Sequence, residues 1–138
     1  MVVNDGNANF RVRRLTSSTV SVTRIGLAVV EPYVSAAQAI TNGGLLTLTH
    51  GLGVAPRFDF YLVCVTAEAG YSVGNKINAN MNSSNASSDR FNSYYFTSTQ
   101  IFIRFSNTNS AFRVGVKSSG AAASLTNTNW NIVVRAYA

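Results

Sequence analysis

The 138-residue chain is poor in the residues that carry chemistry. Cys64 is the only cysteine, so no disulfide can form within the chain. It lies in the apolar run 58–65, where a buried, inert thiol is the usual state. His50 is the only histidine, and Asp5, Glu31, Asp59, Glu68 and Asp89 are the only carboxylates. One Cys and one His cannot supply the three or four ligands of a zinc site from a single chain. A threefold assembly that gathers copies of His50 or Asp89 on its axis is the remaining route to a metal, and nothing in the sequence favours it. General acid–base catalysis needs paired titratable groups in tuned surroundings. His50 and Glu68 both fall in connections and form the one candidate pair. The plainer reading has His50 ending a strand and bonding a turn backbone, with Glu68 facing an arginine or water. The expectation is a protein that is not an enzyme and needs no cofactor or metal.

Charge and long apolar runs are also scarce. Charged residues make up 12% of the chain, about half the usual share. No apolar run approaches the ~20 residues needed to cross a bilayer, and residues 1–20 lack the basic-then-apolar pattern of a secretory signal. A protein made in the cytoplasm, with no membrane insertion, is expected. It would reach the outside as part of an assembled and released particle. The net charge is +6, from nine Arg and two Lys. These are scattered apart from Arg11, Arg13 and Arg14, with no basic stripe interleaved with stacking aromatics, so nucleic acid is not an expected partner.

What the chain has in quantity is Ser, Thr and Asn among β-branched and aromatic residues, a mixture suited to half-buried pleated surfaces. Residues 1–19 read as a polar arm. Its Phe10, Arg11, Arg13 and Arg14 are candidates for attachment to a neighbouring protein, because such a segment orders only by docking. Strand-like stretches follow at 20–30, 45–49, 57–65, 91–97, 100–105, 111–117 and 130–137, with a short one starting at Ile77. Residues 36–40 fit either a short helix or a strand. Turn clusters separate the stretches, and 80–89 is an Asn/Ser loop. Gly51, Gly53, Gly70 and Gly74 read as turn glycines, since no helix follows them to make a phosphate cradle. The pattern predicts an all-β, antiparallel β-sandwich over residues 36–138, preceded by an extended N-terminal attachment segment over 1–35.

Two features point to function. The strands at 58–65 and 100–105 are apolar on both faces, whereas a two-sheet sandwich needs one apolar face per strand. Tyr61, Val63, Val65, Phe102 and Val133 are the surplus. Either they meet sister copies in a symmetric oligomer, or residues 20–40 fold over them. Secondly, aromatics lie beside the Asn-rich loop. Asn80, Asn82, Asn85, Asp89, Arg90, Tyr94 and Tyr95 form a candidate ligand-binding set, with rings stacking on sugar faces and amides bonding hydroxyls. The alternative is that the aromatics pack in the core or at a subunit contact.

Particular segments carry a family resemblance. Thr49-His50-Gly51-Leu52-Gly53-Val54-Ala55-Pro56-Arg57, the strand ending Leu62-Val63-Cys64, Thr66-Ala67-Glu68-Ala69-Gly70-Tyr71-Ser72-Val73-Gly74-Asn75 and the closing Asn129-Trp130-Asn131-Ile132-Val133-Val134-Arg135-Ala136-Tyr137 resemble small domains of phage and prophage tail-fibre or virion-appendage proteins. The resemblance covers about residues 40–138. It implies a trimeric β-sandwich similar in outline to H-type lectins, with no catalytic residues to carry over. Members often have an acidic residue where this chain has Asn75. The expectation is therefore a bacteriophage structural protein located in the virion, a homotrimeric tail- or head-fibre appendage that binds the host surface through glycans. Without a long shaft, it would attach to capsid, tail or fibre through its N-terminal arm. A purely structural capsid decoration or connector protein is the alternative.

Overall fold

Alternating apolar residues can be buried only when a second strand presents its own alternation in register, and the long strands of this chain meet that condition. The computed structural model describes residues 9–14, 20–25, 31–79, 82–83 and 90–138, with the backbone alone described at 9–14, 20–25, 82–83 and 90–91. The chain divides into two units, 1–30 and 31–138. In the first, β1 (Asn9–Arg14) pairs antiparallel with β2 (Val20–Ile25), Asn9 opposite Ile25 and Arg14 opposite Val20. Asn9–Arg14 is thus a strand with a partner inside the chain, where the sequence suggested an arm with no structure of its own. Phe10, Arg11, Arg13 and Arg14 all lie on β1, and their side chains are outside the described part.

The second unit holds β3 (Tyr33–Val34), β4 (Gln38–Ala39), β5 (Leu45–Thr49), β6 (Arg57–Cys64), β7 (Lys76–Ile77), β8 (Asn82–Ser83), β9 (Arg90–Phe91), β10 (Ser93–Phe96), β11 (Gln100–Arg104), β12 (Arg113–Gly115), β13 (Ala122–Ser124) and β14 (Trp130–Tyr137). A 3-10 turn, Asn127–Asn129, leads into the last strand. One sheet runs β3-β14-β6-β7, with β4 also on β14, and a second runs β10-β11-β5. The pairs β8-β9 and β12-β13 complete an all-β, antiparallel, sandwich-like architecture. Among the described residues no helix is long and apolar enough to cross a membrane.

The core sits between the two sheets. In the β6–β14 register Trp130 lies opposite Cys64, Ile132 opposite Leu62, Val134 opposite Phe60 and Ala136 opposite Phe58. Residues opposite one another share a face, so the alternate apolar residues of the two strands land together on the core side. The other sheet contributes Leu48, Ile101 and Ile103, and the loops beyond contribute Phe105, Ala111, Phe112 and Leu125. Each fully buried aliphatic or aromatic side chain stabilises by roughly 1.5–3 kcal/mol relative to exposure.

Several boundaries differ from the sequence pattern, and buried amides are the reason. The stretch 91–97 is broken at Asn92, which is buried. Its Nδ2 donates to the Ala111 carbonyl at 2.8 Å, and its Oδ1 accepts from the Ser106 amide at 3.0 Å. The stretch 111–117 shortens to β12 because the Ala111 amide donates to Asn127 Oδ1 at 2.7 Å instead of joining a ladder. Residues 36–40 contribute β4, and the link 118–129 carries β13 and the 3-10 turn. Tyr33–Val34 pairs with Arg135 and Ala136 of β14, so sheet residues begin ahead of position 36.

Asn92→Ala strips partners from two backbone groups of this buried network. It is expected to cost about 2–4 kcal/mol, read as a lower midpoint in urea unfolding.

Candidate functional site

The site begins with an unequal pairing of β6. On one side β14 pairs with all of it, from Arg57 to Cys64. On the other, β7 pairs with Leu62 and Val63 alone. Among the described strands nothing bonds the free edge at 57–61, and the chain beyond β7 passes it as Asn78 and Ala79. Between them is a cleft of about 410 Å³ lined by Phe58, Asp59, Phe60, Asn78, Ala79, Tyr94 and Arg135, within the size range of small-ligand sites.

Tyr94 reaches this cleft from the other sheet. Its strand, β10, is an edge bonded to β11 on one side, and Tyr94, Tyr95 and Phe96 are all exposed. Tyr94 and Phe96 point inward, edge-on to Phe58, with centroids at 5.1 and 6.0 Å. Strand alternation turns Tyr95 to the opposite face, where it stacks on Phe102 at 4.4 Å with the rings 11° apart. Tyr94 and Tyr95 therefore cannot contact the same small ligand.

The polar wall of the cleft is an ion pair set by register, Arg135 opposite Asp59. Arg135 Nε donates to Oδ1 at 2.7 Å and its NH2 to Oδ2 at 3.0 Å. The hydrogen bond to Asp59 holds the guanidinium further above its usual pKa. A second cleft of about 330 Å³, lined by Tyr61, Lys76, Ile77, Asn78 and Arg135, adjoins the first. Lys76 Nζ is 5.3 Å from the Tyr61 ring centroid and Arg135 Cζ is 5.5 Å from it. Aromatic rings beside a carboxylate, a guanidinium and an amide are suited to a ligand with an apolar face and hydroxyl edges, such as a sugar ring.

The one acid–base pair suggested by the sequence is not assembled. His50 is buried and bonded on both nitrogens, with Nδ1 accepting from the Leu52 amide at 3.2 Å and Nε2 facing the Thr97 carbonyl at 3.3 Å. These partners assign the neutral tautomer protonated on Nε2. Tyr33 packs edge-on to this ring, and burial raises the Tyr33 phenol above its ordinary pKa. Glu68 is half-buried and, among the described residues, pairs with no arginine. Its carboxylate accepts from Trp130 Nε1 at 2.7 Å, Thr126 Oγ1 at 2.7 Å and the Thr126 amide at 3.0 Å. Glu68 is thus a structural acceptor that caps the one tryptophan. The turn that presents it, 68–71, is closed by reciprocal Glu68–Tyr71 backbone bonds and needs positive φ at Ala69 (52°) and Gly70 (82°), as a type I′ turn requires. Asn75 Oδ1 accepts from the Ser72 amide and from Lys117 Nζ, so the amide here closes a turn.

Of the other predicted site residues, Asn80, Asn85 and Asp89 lie outside the described residues. Asn82 and Arg90 stand on the paired strands β8 and β9, with side chains outside the described part. In the predicted self-association set, Val133 is buried within the single chain, Phe102 lies under Tyr95, and Tyr61 and Val63 are half-buried. Val65 is exposed. Sequence reasoning missed Phe58, Asp59, Asn78, Lys76 and Arg135 as site residues. A lone acid and a lone base on the outward faces of two apolar strands were the available signal. Among the described residues no group of three His, Cys, Asp or Glu gathers as a metal site.

The fold defines an all-β, antiparallel protein with a cleft at a sheet edge. No family model, curated protein or solved structure matches the chain.

Glu68→Ala leaves Trp130 Nε1 and the Thr126 amide without their acceptor. A loss of about 2–3 kcal/mol is expected, followed by the fluorescence of Trp130 in denaturant, with Glu68→Gln recovering part of it. Unchanged stability would show that these donors find other partners.

Proposed function

We propose that the chain is a non-catalytic structural protein of a bacteriophage particle, a homotrimeric tail- or head-fibre appendage with a β-sandwich fold that binds glycans on the host surface. The observation that carries this reading is the edge cleft, where an exposed tyrosine and a phenylalanine from two different sheets flank an Asp–Arg pair. The engagement of His50 and Glu68 in structural hydrogen bonds also supports it, because the best acid–base candidates are occupied elsewhere. The phage origin rests on the resemblance of residues 49–57, 66–75 and 129–137 to appendage domains.

In this reading trimerisation uses the outer face of the β10-β11-β5 sheet. Tyr95 and Phe102 stack there, and Leu45, opposite Arg104, is exposed on the same face; the cleft stays open on the other side of β10. Many such sites on one particle give avidity without tight single contacts.

Labelled protein should bind the bacterial cells in which the particle multiplies, and Tyr94→Ala should abolish that binding while leaving a trimer in sedimentation. Tyr95→Arg should dissociate the trimer. Cell binding indifferent to Tyr94 would overturn the assignment of the site, and a compact monomer at high concentration would overturn the trimer. Particles that lack the protein, adsorb normally and burst on heating would establish the capsid-decoration role instead.

A further inference from the structure

The two clefts share Asn78 and Arg135, so they adjoin around the free edge of β6, with Phe58 and Tyr94 in one and Tyr61 and Lys76 in the other. Two adjoining clefts on either side of one strand edge suit a ligand of more than one ring.

The groove they make together is also electrostatically lopsided. Asp59 is the only carboxylate among its described lining residues, and both of its oxygens are taken by Arg135. Lys76 is exposed and has no carboxylate partner among the described residues; its ammonium faces the Tyr61 ring, to which Arg135 also comes close. Two cations therefore converge on one ring with one counter-charge between them, and the uncompensated charge lies in the cleft that Tyr94 does not line. An anionic group seated there would gain a charge-assisted hydrogen bond from Lys76 without displacing the Asp59–Arg135 pair.

We infer that the groove takes an acidic oligosaccharide, with one sugar ring against Phe58 and Tyr94 and a sugar carboxylate at Lys76 beside Arg135. This rests on the cleft being the surface-binding site, and it specifies the charge and polarity of the ligand. A nucleic acid fits less well, because a phosphate chain needs a row of free cations and the described lining residues offer one, Lys76.

The test uses the full chain on an array of oligosaccharides bearing uronic acid, sialic acid or no acid, with carboxyl-reduced counterparts of every acidic probe. Acidic probes should bind, and carboxyl reduction should weaken them about tenfold or more. Lys76→Gln should produce a similar loss and remove most of the salt dependence, while Lys76→Arg retains binding. Tyr94→Ala should weaken acidic and reduced probes alike. Equal binding of acidic and reduced probes would overturn this inference and leave the surface-binding role standing. No binding of any glycan would overturn both. Tighter, Lys76-dependent binding of polyglutamate or single-stranded DNA would overturn the carbohydrate assignment.

Discussion

The eight residues of β6 pair with the eight of β14 in a single register, and the rest of the second unit depends on that pairing. A shift of one residue would put Leu62 on the opposite face from Ile132 and Val134, so that one strand or the other would turn its core residues outward. The same register sets the outer face, because it brings Asp59 opposite Arg135 and Tyr61 opposite Val133. The cleft draws on both faces of that pairing, Phe58 and Phe60 from the inner face and Asp59 and Arg135 from the outer. The free edge of β6 at 57–61 is where that pairing ends sideways, and a site forms there because backbone and aromatic side chains remain accessible.

Polar side chains do the joining that disulfides do in many small secreted β proteins. Glu68 ties the 68–71 turn to Thr126 and Trp130. Asn92 ties the break before β10 to Ser106 and Ala111, and buried Asn127 bonds Asn42, Thr108 and Ala111. Each amide satisfies donors and acceptors that would otherwise be buried unpaired, a penalty of about 1–3 kcal/mol apiece. The abundance of Asn in the chain thus has a structural use apart from exposed loops. It also explains why so few charged residues suffice.

The surplus apolar residues that pointed to self-association are partly hidden within the chain. Val133 is buried, Phe102 lies beneath Tyr95, and Tyr61 has two cations near its ring. What stays open is the aromatic edge of β10. An exposed aromatic edge strand is a liability unless something uses it. In the proposed appendage its two faces serve separate ends, ligand on the Tyr94 side and sister copies on the Tyr95 side.

The sequence by itself determined the all-β class, the full extent of the last strand, the inward sets on β6 and β14 and the structural place of His50. These follow from alternation and turn chemistry, which are local properties. It also picked out Tyr94, but paired it with Tyr95 because neighbours in sequence look like neighbours in space. Only the tertiary structure decided that the two rings point apart, that Glu68 caps Trp130, and that Asp59 and Arg135 gather beside Tyr94 with Lys76 in the adjoining cleft. Those facts depend on which strands pair and in what register, and register is settled by burial summed over the whole core.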